Sequence, residues 1–386
     1  DDIDLSGFDS LGEVTKYNFT TPEEAPERVK DADVLIINKV PINENTVGTA
    51  KNLKLVCVTA TGTNNLDKDY LDSHKIAWRN VAGYSTETVT QHTFAMLFYL
   101  LEKLRYYDDY VKDGNYINDT SFTHFAEHFS EINGKTWGII GLGAIGQLVA
   151  NAATHLGMEV YGYDPYISVD AAWNLSRDIH HIQNVEDIYR TCDYITIHVP
   201  LMDSTKGMIN KAAIDEMKDG VVLLNYARDL LVDEDAVLAA LKAGKMKKYV
   251  TDFANPKVVG AEGTIVTPHL GASTKESEDN CAVMAVKEIR DFLENGNIKN
   301  SVNFPNCSMG VCTGAGRVTI CHKNIPGMLG AFTTVMGNAG VNISDMTNKG
   351  KGDYAYTMMD LESEATEEMV KALEAVDGVL KVRIIQ

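Results

Sequence analysis

The run Gly141-Leu142-Gly143-Ala144-Ile145-Gly146 has GxGxxG spacing. An apolar run, 137–140, leads into it, a helical stretch, 147–156, follows, and a second apolar run, 160–163, ends at Asp164. In that setting each glycine has a physical task. Gly141 permits a tight turn, Gly143 lets the backbone approach a pyrophosphate, and Gly146 allows close helix–strand packing. Ala144 and Ile145 stand in the turn before the helix, whose N-terminal N–H groups and dipole favour phosphate. Asp164 lies 23 residues after Gly141, where a carboxylate accepts hydrogen bonds from adenosine ribose hydroxyls. It repels a 2′-phosphate, so the pattern predicts NAD rather than NADP. Further on, Arg228 follows the apolar run 221–225 and His269 follows 264–267. A guanidinium can fork onto a carboxylate, and an imidazole can take a proton near neutral pH. By position alone, each is also readable as a surface ion-pair residue or a structural histidine.

These residues need a sheet beneath them. Strands are predicted at 136–140, 160–163, 194–198, 221–225, 249–251 and 264–267, with helical patterns between most of them. That alternation is the signature of a parallel, doubly wound sheet. Carboxyl ends of its strands would carry Arg228 and His269 to the cofactor crevice. Upstream, the apolar runs 34–37 and 55–58 read as buried strands in a β/α succession. Residues 1–12 hold no convincing strand, so the sequence reads as beginning inside its first unit. Residues 85–112 form a strongly apolar helical pattern, with Ser85 or Thr86 as N-cap and Phe94, Leu97, Phe98, Leu101 and Leu104 along it. Residues 301–316, rich in Gly, Ser, Asn and Cys without periodicity, read as a linker. Residues 317–386 then give β-α-β-β-α-β, with strands at 318–321, 342–348, 355–360 and 380–385 and helices at 328–338 and 366–375, a ferredoxin-like module.

At about 150 residues per domain, 386 residues predict two or three domains. Lys plus Arg is 35 against 54 for Asp plus Glu, a net charge of −19. Nucleic acid and anionic membrane are therefore poor partners, whereas a small anion in a locally cationic pocket is not excluded. The longest apolar run, near 94–101, falls far short of the roughly 20 residues of a membrane span. The acidic opening, Asp1, Asp2 and Asp4, is unlike a secretory signal. Cys57, Cys192, Cys281, Cys307, Cys312 and Cys321 include no CxxC pair and predict reduced thiols in a cytoplasmic protein. Cys307, Cys312, Cys321 and His322 match no zinc spacing, and no metal is expected.

The order of motifs resembles the D-isomer-specific 2-hydroxyacid dehydrogenases. GLGAIG, HVPL at 198–201, NYARDLLVDE at 225–234 and TPHLGASTKES at 267–277 carry the likeness in the second domain. TATGTNNLD at 59–67 and AGYSTETVTQHTFA at 82–95 carry it in the front. The resemblance implies His269 as the base for the C2 hydroxyl and Arg228 as the substrate anchor. It implies substrate contacts from Lys39, Thr61, Gly62 and Thr63, with backbone N–H groups near Gly62-Thr63-Asn64 receiving a carboxylate. It implies that His198, Pro200, Ala227, Asp252 and Gly271 line the cofactor, Asp252 facing the nicotinamide carboxamide. One departure stands out. The family places a Glu beside the base histidine, just before a Pro; this sequence reads Asp252-Phe253-Ala254-Asn255-Pro256, with Asn255 in the Glu slot. An amide orients an imidazole without stabilising imidazolium, so a base of lowered pKa is expected.

Residues 317–386 resemble an ACT domain, a small-molecule sensor. In family members with this module the matching His and two Asn take L-serine, which would assign His322, Asn324 and Asn342 to an effector site. The second half looks most like D-3-phosphoglycerate dehydrogenases and the first 130 residues look closer to glycerate dehydrogenases or hydroxypyruvate reductases. Lys39 is the best candidate for a phosphate, with Arg79 and Arg105 behind it. A non-catalytic NAD- and amino-acid-sensing regulator is the reading from another class, and the presence of both Arg228 and His269 argues against it. The expected architecture is α/β: two Rossmann-like doubly wound domains plus a ferredoxin-like α+β module. Residues 1–107 with 272–300 would bind substrate, 108–271 NAD, and 317–386 an effector, with hinges near 105–112 and 270–275. A homodimer through the helix near 87–104, extended to a tetramer through the last module, is expected.

Overall fold

The computed structural model describes residues 3–301 and 303–385; Asp1, Asp2, Val302 and Gln386, which fall in the expected opening, linker and closing strand, lie outside the described residues. The chain forms two compact units: Asp1–Tyr84 with Glu278–Gln386, and Ser85–Ser277.

In the first unit, β1 (Val34–Ile37), β2 (Leu55–Val58) and β3 (Ala77–Asn80) pair in parallel in chain order. The central strand, Leu-Val-Cys-Val, is buried throughout, as a strand covered on both faces should be. Cys281, Ala282, Ala285, Val286 and Ile289 make the apolar stripe of the helix Lys275–Asn295 and pack with Phe8, Leu55, Cys57 and Val81. β3 has no run of apolar residues to announce it, because Arg79 stands in it, buried. Its guanidinium pairs with Glu288 at 3.2 Å and donates to the carbonyls of Glu288 (2.7 Å) and Lys299 (2.5 Å). Arg79 is therefore a fastening of this unit and not a phosphate ligand.

The second unit holds β4 (Thr136–Ile140), β5 (Glu159–Tyr163), β6 (Ile179–His181), β7 (Tyr194–Ile197), β8 (Val221–Asn225), β9 (Met246–Thr251) and β10 (Thr264–Val266). All pairs are parallel and the order is β10-β9-β8-β7-β4-β5-β6. The chain starts in the middle at β4, runs outward to β6, and returns to the other side of β4 at β7. That reversal is the topological switch point at which such sheets bind ligands. One face packs on Ile188, Ile214 and Val237, the other on Val149, Ala150 and Ala153.

The helix Thr86–Leu101 belongs to this second unit. Val89, Met96, Leu97 and Leu100 pack with Trp137, Ile139 and Val149, which moves the compact break from the expected 107/108 to 84/85; the other break is at 277/278 rather than 271/272. Phe94, Tyr99 and Leu101 of the same helix are partly buried against this core. Residues expected as a hinge form the helix Leu104–Lys112, where Arg105, exposed, pairs with Asp109 at 3.6 Å. A set of exposed aromatic residues follows, including Phe122, Phe125 and Phe129.

The C-terminal part folds as β11 (Gly316–Lys323), β12 (Ile343–Lys351), β13 (Tyr354–Leu361) and β14 (Val379–Ile385), with helices Met328–Asn338 and Glu367–Glu374. The antiparallel order β12-β13-β11-β14 is ferredoxin-like. The expected linker is not a free tether. Ile298 and Cys307 form a β-bridge, and Arg317, 1% exposed, donates to the carbonyls of Asn295, Met309 and Gly310 and grips the Asp360 carboxylate at 2.5 and 2.8 Å. Among the described residues, no helix is long and apolar enough to cross a membrane. Nor does any group of three His, Cys, Asp or Glu gather there to hold a metal, the Cys307, Cys312, Cys321 and His322 set included.

Candidate active site

Across the sheet of the second unit, the carboxyl ends present His269 after β10, Asp252 after β9, Arg228 after β8, His198 after β7, the glycine turn after β4 and Asp164 after β5. The titratable and guanidinium groups thus gather at one end of this edge and the ribose-type carboxylate at the other.

The glycine turn meets its steric requirements. Gly141 has φ +96°, and a Cβ there would lie 2.6 Å from the His198 carbonyl oxygen. At Gly146 a Cβ would lie 1.9 Å from the Gly141 oxygen, so helix and strand touch through hydrogen alone. Gly143 differs: a Cβ there meets nothing within 4 Å, and the residue caps the N-terminus of the helix Ala144–His155. Open space before free helix N–H groups is what a pyrophosphate requires. Asp164 accepts the N–H of Leu142 (2.9 Å) and of Tyr166 (2.9 Å), which fastens the turn and leaves lone pairs for hydroxyl donors. His198 Nε2 lies 3.2 Å from Thr196 Oγ1, and burial drives its pKa down to about 4, so the ring is neutral near pH 7. Pro200 is exposed beside it, its carbonyl taking the Thr205 hydroxyl.

Asn225, fully buried at the end of β8, clasps the next turn. Its Oδ1 accepts the Ala227 N–H (3.1 Å) and its Nδ2 donates to the Arg228 carbonyl (2.8 Å). Arg228 Nη1 donates to the Ala227 carbonyl (2.6 Å), and the guanidinium forms no ion pair among the described residues. A half-buried cation without a carboxylate, at the edge of a sheet, is available to an anion.

His269 is one of the few residues other than glycine with positive φ (+53°). The strain is held by its N–H, which donates to the carbonyls of Asp252 (2.9 Å) and Thr267 (3.0 Å). Its ring is 53% exposed, lies 5.0 Å from the Phe253 ring, and has Nδ1 3.4 Å from Asp252 Oδ2. Asp252 is 1% exposed; Oδ2 also accepts the Gly271 N–H (3.3 Å), and Oδ1 has no partner. Asn255, expected beside the base, is elsewhere. Its Nδ2 donates to Glu234 Oε1 (2.9 Å) and Oε2 (3.1 Å), and its Oδ1 accepts the Lys257 N–H (2.9 Å). The side chain next to His269 is the Asp252 carboxylate, not the Asn255 amide expected there.

Two neighbours went unread in the sequence. His92, on the helix Thr86–Leu101, lies 3.4 Å from Thr267 Oγ1 and edge-on to the Tyr226 ring at 5.1 Å. Burial lowers its pKa. Tyr226 itself is buried with an unpartnered hydroxyl, and burial raises its pKa well above the usual phenol. A lone His in an apolar helix and a Tyr before the Ala-Arg pair were the only signals.

In the first unit, Lys39 follows β1 and the loop Thr61-Gly62-Thr63 follows β2, both at carboxyl ends. Asn38 donates to the Thr59 carbonyl (2.9 Å), Asn65 to those of Asn38 and Val40, and Asn80 to that of Thr61 (2.6 Å), so the two loops are stitched together. Lys39 is exposed and forms no ion pair among the described residues. In the C-terminal sheet, His322 and Asn324 line one depression with Ile325, Gly327, Met328 and Asn348; Asn342 is not among its walls. Both ring nitrogens of His322 are engaged, Nδ1 with the Lys323 carbonyl (2.8 Å) and Nε2 with Thr357 Oγ1 (2.9 Å).

Comparison with known proteins agrees with this edge. The family model for the D-isomer specific 2-hydroxyacid dehydrogenase NAD binding domain matches residues 94–271. The chain is 31% identical over 312 residues to a hydroxypyruvate reductase of Blautia hydrogenotrophica, covering 78% of this chain and 95% of that one. To a D-3-phosphoglycerate dehydrogenase of Haemophilus influenzae it is 27% identical over 375 residues, 94% of this chain and 89% of that one. The solved structure of an NAD+-bound 3-phosphoglycerate dehydrogenase of Entamoeba histolytica is similar at TM-score 0.61 and 26% identity, covering 74% of this chain and 87% of that one. The chain belongs to the D-isomer-specific 2-hydroxyacid dehydrogenases, oxidoreductases that act on a CH–OH group with NAD as acceptor.

Proposed function

We propose that the protein oxidises D-3-phosphoglycerate to 3-phosphohydroxypyruvate, with His269 as base and Arg228 as substrate anchor. The observation that carries the chemistry is one sheet edge bearing, among the described residues, an imidazole with one nitrogen free of protein, a guanidinium without a carboxylate, and an open glycine turn. The residues fit NAD: the space at Gly143 suits a pyrophosphate, Asp164 a ribose, and the unpartnered Asp252 Oδ1 a carboxamide N–H. Gly141, Ala144, Ile145, Gly146, His198, Pro200, Ala227 and Gly271 are assigned to the same cofactor site.

Bound NAD would accept the C2 hydrogen with its electron pair. This chain supplies the rest. The Arg228 fork holds the oxygens of the hydroxyacid in one orientation. His269 keeps Nδ1 toward Asp252, which leaves Nε2 to take the hydroxyl proton as C2 becomes a ketone. The Thr61-Gly62-Thr63 backbone is assigned the substrate carboxylate and Lys39 the phosphate. The phosphorylated substrate is supported by the likeness to the Haemophilus phosphoglycerate dehydrogenase, which extends over 94% of this chain and so takes in the ferredoxin-like part. L-serine sensing through His322 and Asn324 belongs to the same proposal, as does self-association into a dimer or tetramer. Asn342 lies outside the depression formed by the other two residues.

A second reading, oxidation of D-glycerate or reduction of hydroxypyruvate, is favoured by the scarcity of cations. Arg79 is spent on Glu288 and Arg105 on Asp109, leaving Lys39 alone. Initial rates with 3-phosphoglycerate, D-glycerate and D-lactate separate the readings, with and without L-serine. The proposal expects 3-phosphoglycerate to lead in kcat/KM, and Lys39→Ala to raise its KM roughly tenfold or more while sparing D-glycerate. Preference for D-glycerate, indifferent to Lys39, would establish the second reading instead.

A further inference from the structure

The family's usual carboxylate for the base is missing from position 255, yet His269 is not without one. Asp252 reaches it twice. The Asp252 carbonyl accepts the His269 N–H at 2.9 Å, and its carboxylate Oδ2 stands 3.4 Å from the ring Nδ1. One residue thus registers both the strained backbone of the histidine, at φ +53°, and the plane of its ring. The 3.4 Å separation is loose for a hydrogen bond, as catalytic contacts often are before ligands bind.

We propose that Asp252 is the positioning residue of the base, fixing the His269 ring through Nδ1 and stabilising the imidazolium formed when the hydroxyl proton arrives. The inference rests on the reading of His269 as base.

Burial gives the pairing its strength. Asp252 is 1% exposed, and a carboxylate removed from water needs a compensating charge or donors. Among the described residues its only other donor is the Gly271 N–H on Oδ2, and Oδ1 has none. An imidazolium at Nδ1 is therefore worth more here than beside a solvated carboxylate. The surroundings do not supply that charge otherwise. Around the pair stand His92 from the helix Thr86–Leu101 and Tyr226 from the turn after β8. Burial lowers the pKa of His92 and raises that of the Tyr226 phenol, so both environments disfavour the charged form. Asn255 is excluded by its own bonds to Glu234 and the Lys257 N–H. Gly271 leaves room for the arrangement: a Cβ there would sit 3.1 Å from Asp252 Oδ2.

The test uses the full chain, with Asp252→Asn and Asn255→Ala. Histidine Cε1–Hε1 NMR signals are titrated without cofactor, His269 being identified by the signal lost in His269→Gln. In parallel, the pH profile of kcat/KM for hydroxyacid oxidation is recorded. Asp252→Asn should lower the His269 midpoint, and the acid limb of the profile with it, by about one pH unit or more. Asn255→Ala should move neither. Should Asp252→Asn fail to fold, Asp252→Ser, smaller and uncharged, carries the same expectation. Loss of turnover in Asp252→Asn with the His269 midpoint unmoved would show a merely structural role and overturn the inference. A midpoint that follows residue 255 would overturn it too. Absence of turnover with every hydroxyacid, with the midpoint still coupled to Asp252, would fell the proposed function and not this pairing.

Discussion

Replacing Gly143 by Ala separates cofactor binding from folding more cleanly than any other change in the glycine turn. At Gly143 the backbone has φ −68° and ψ −171°, open to any L-residue, and an added Cβ meets no protein atom within 4 Å. The fold should accept the methyl. By restricting the unfolded chain, the substitution should leave the melting temperature unchanged or raise it by about 1–3 °C. The methyl does, however, enter the space through which backbone N–H groups would approach a pyrophosphate. Losing one charge-assisted hydrogen bond costs about 1.5–3 kcal/mol, which weakens NADH binding roughly 10- to 150-fold. Gly146→Ala is the contrasting control. Its Cβ would fall 1.9 Å from the Gly141 oxygen, so backbone must move and stability should drop by at least about 1–3 kcal/mol. Titration calorimetry with NADH, beside thermal melts of both variants, makes the measurement. Unchanged NADH affinity in a well-folded Gly143→Ala protein would refute the placement of the pyrophosphate.

Arg317→Met should destabilise the C-terminal sheet by about 3–5 kcal/mol, because it strands the Asp360 carboxylate and three carbonyls; urea unfolding followed by fluorescence reads the loss, and a shift under 1 kcal/mol would contradict it. His198 gives a pH dependence. Burial lowers its pKa from 6.5 to about 4 in the folded state, so the unfolded state binds the extra proton first. Stability is therefore intact above about pH 6.5 and falls as the pH drops toward 4, by on the order of 2 kcal/mol from this residue. His198→Asn should flatten that part of a urea-midpoint-against-pH curve; an identical slope in both proteins would contradict the assignment.

Much of this architecture can be read from residue type. The apolar runs of β2 and β8, buried throughout, and those of β1 and β4 announce themselves, and the glycine turn lies where its spacing puts it. What escapes the eye depends on distant partners. β3 contains Arg79, tolerable only because Glu288 arrives 209 positions later. β6 is a three-residue edge strand with two exposed histidines, so it has no apolar signature. Met309 and Gly310 lie in a stretch without periodicity, where bonds from the Arg317 guanidinium, rather than a repeating pattern, hold them. In the site, the places of Arg228 and His269 after β8 and β10 were legible from the apolar runs before them, while the roles assigned to them came from the resemblance. The partner of His269 was not legible: counting residues to the proline selects Asn255, while the end of β9 delivers Asp252.

The most direct test of the account is the kinetics of His269→Gln with NAD and 3-phosphoglycerate, together with its NADH affinity. If the imidazole takes the hydroxyl proton, kcat should fall by about 10²- to 10⁴-fold while NADH binds within twofold of the wild type. Turnover close to wild type in that variant would remove His269 from the chemistry, and with it the reaction assigned to this sheet edge.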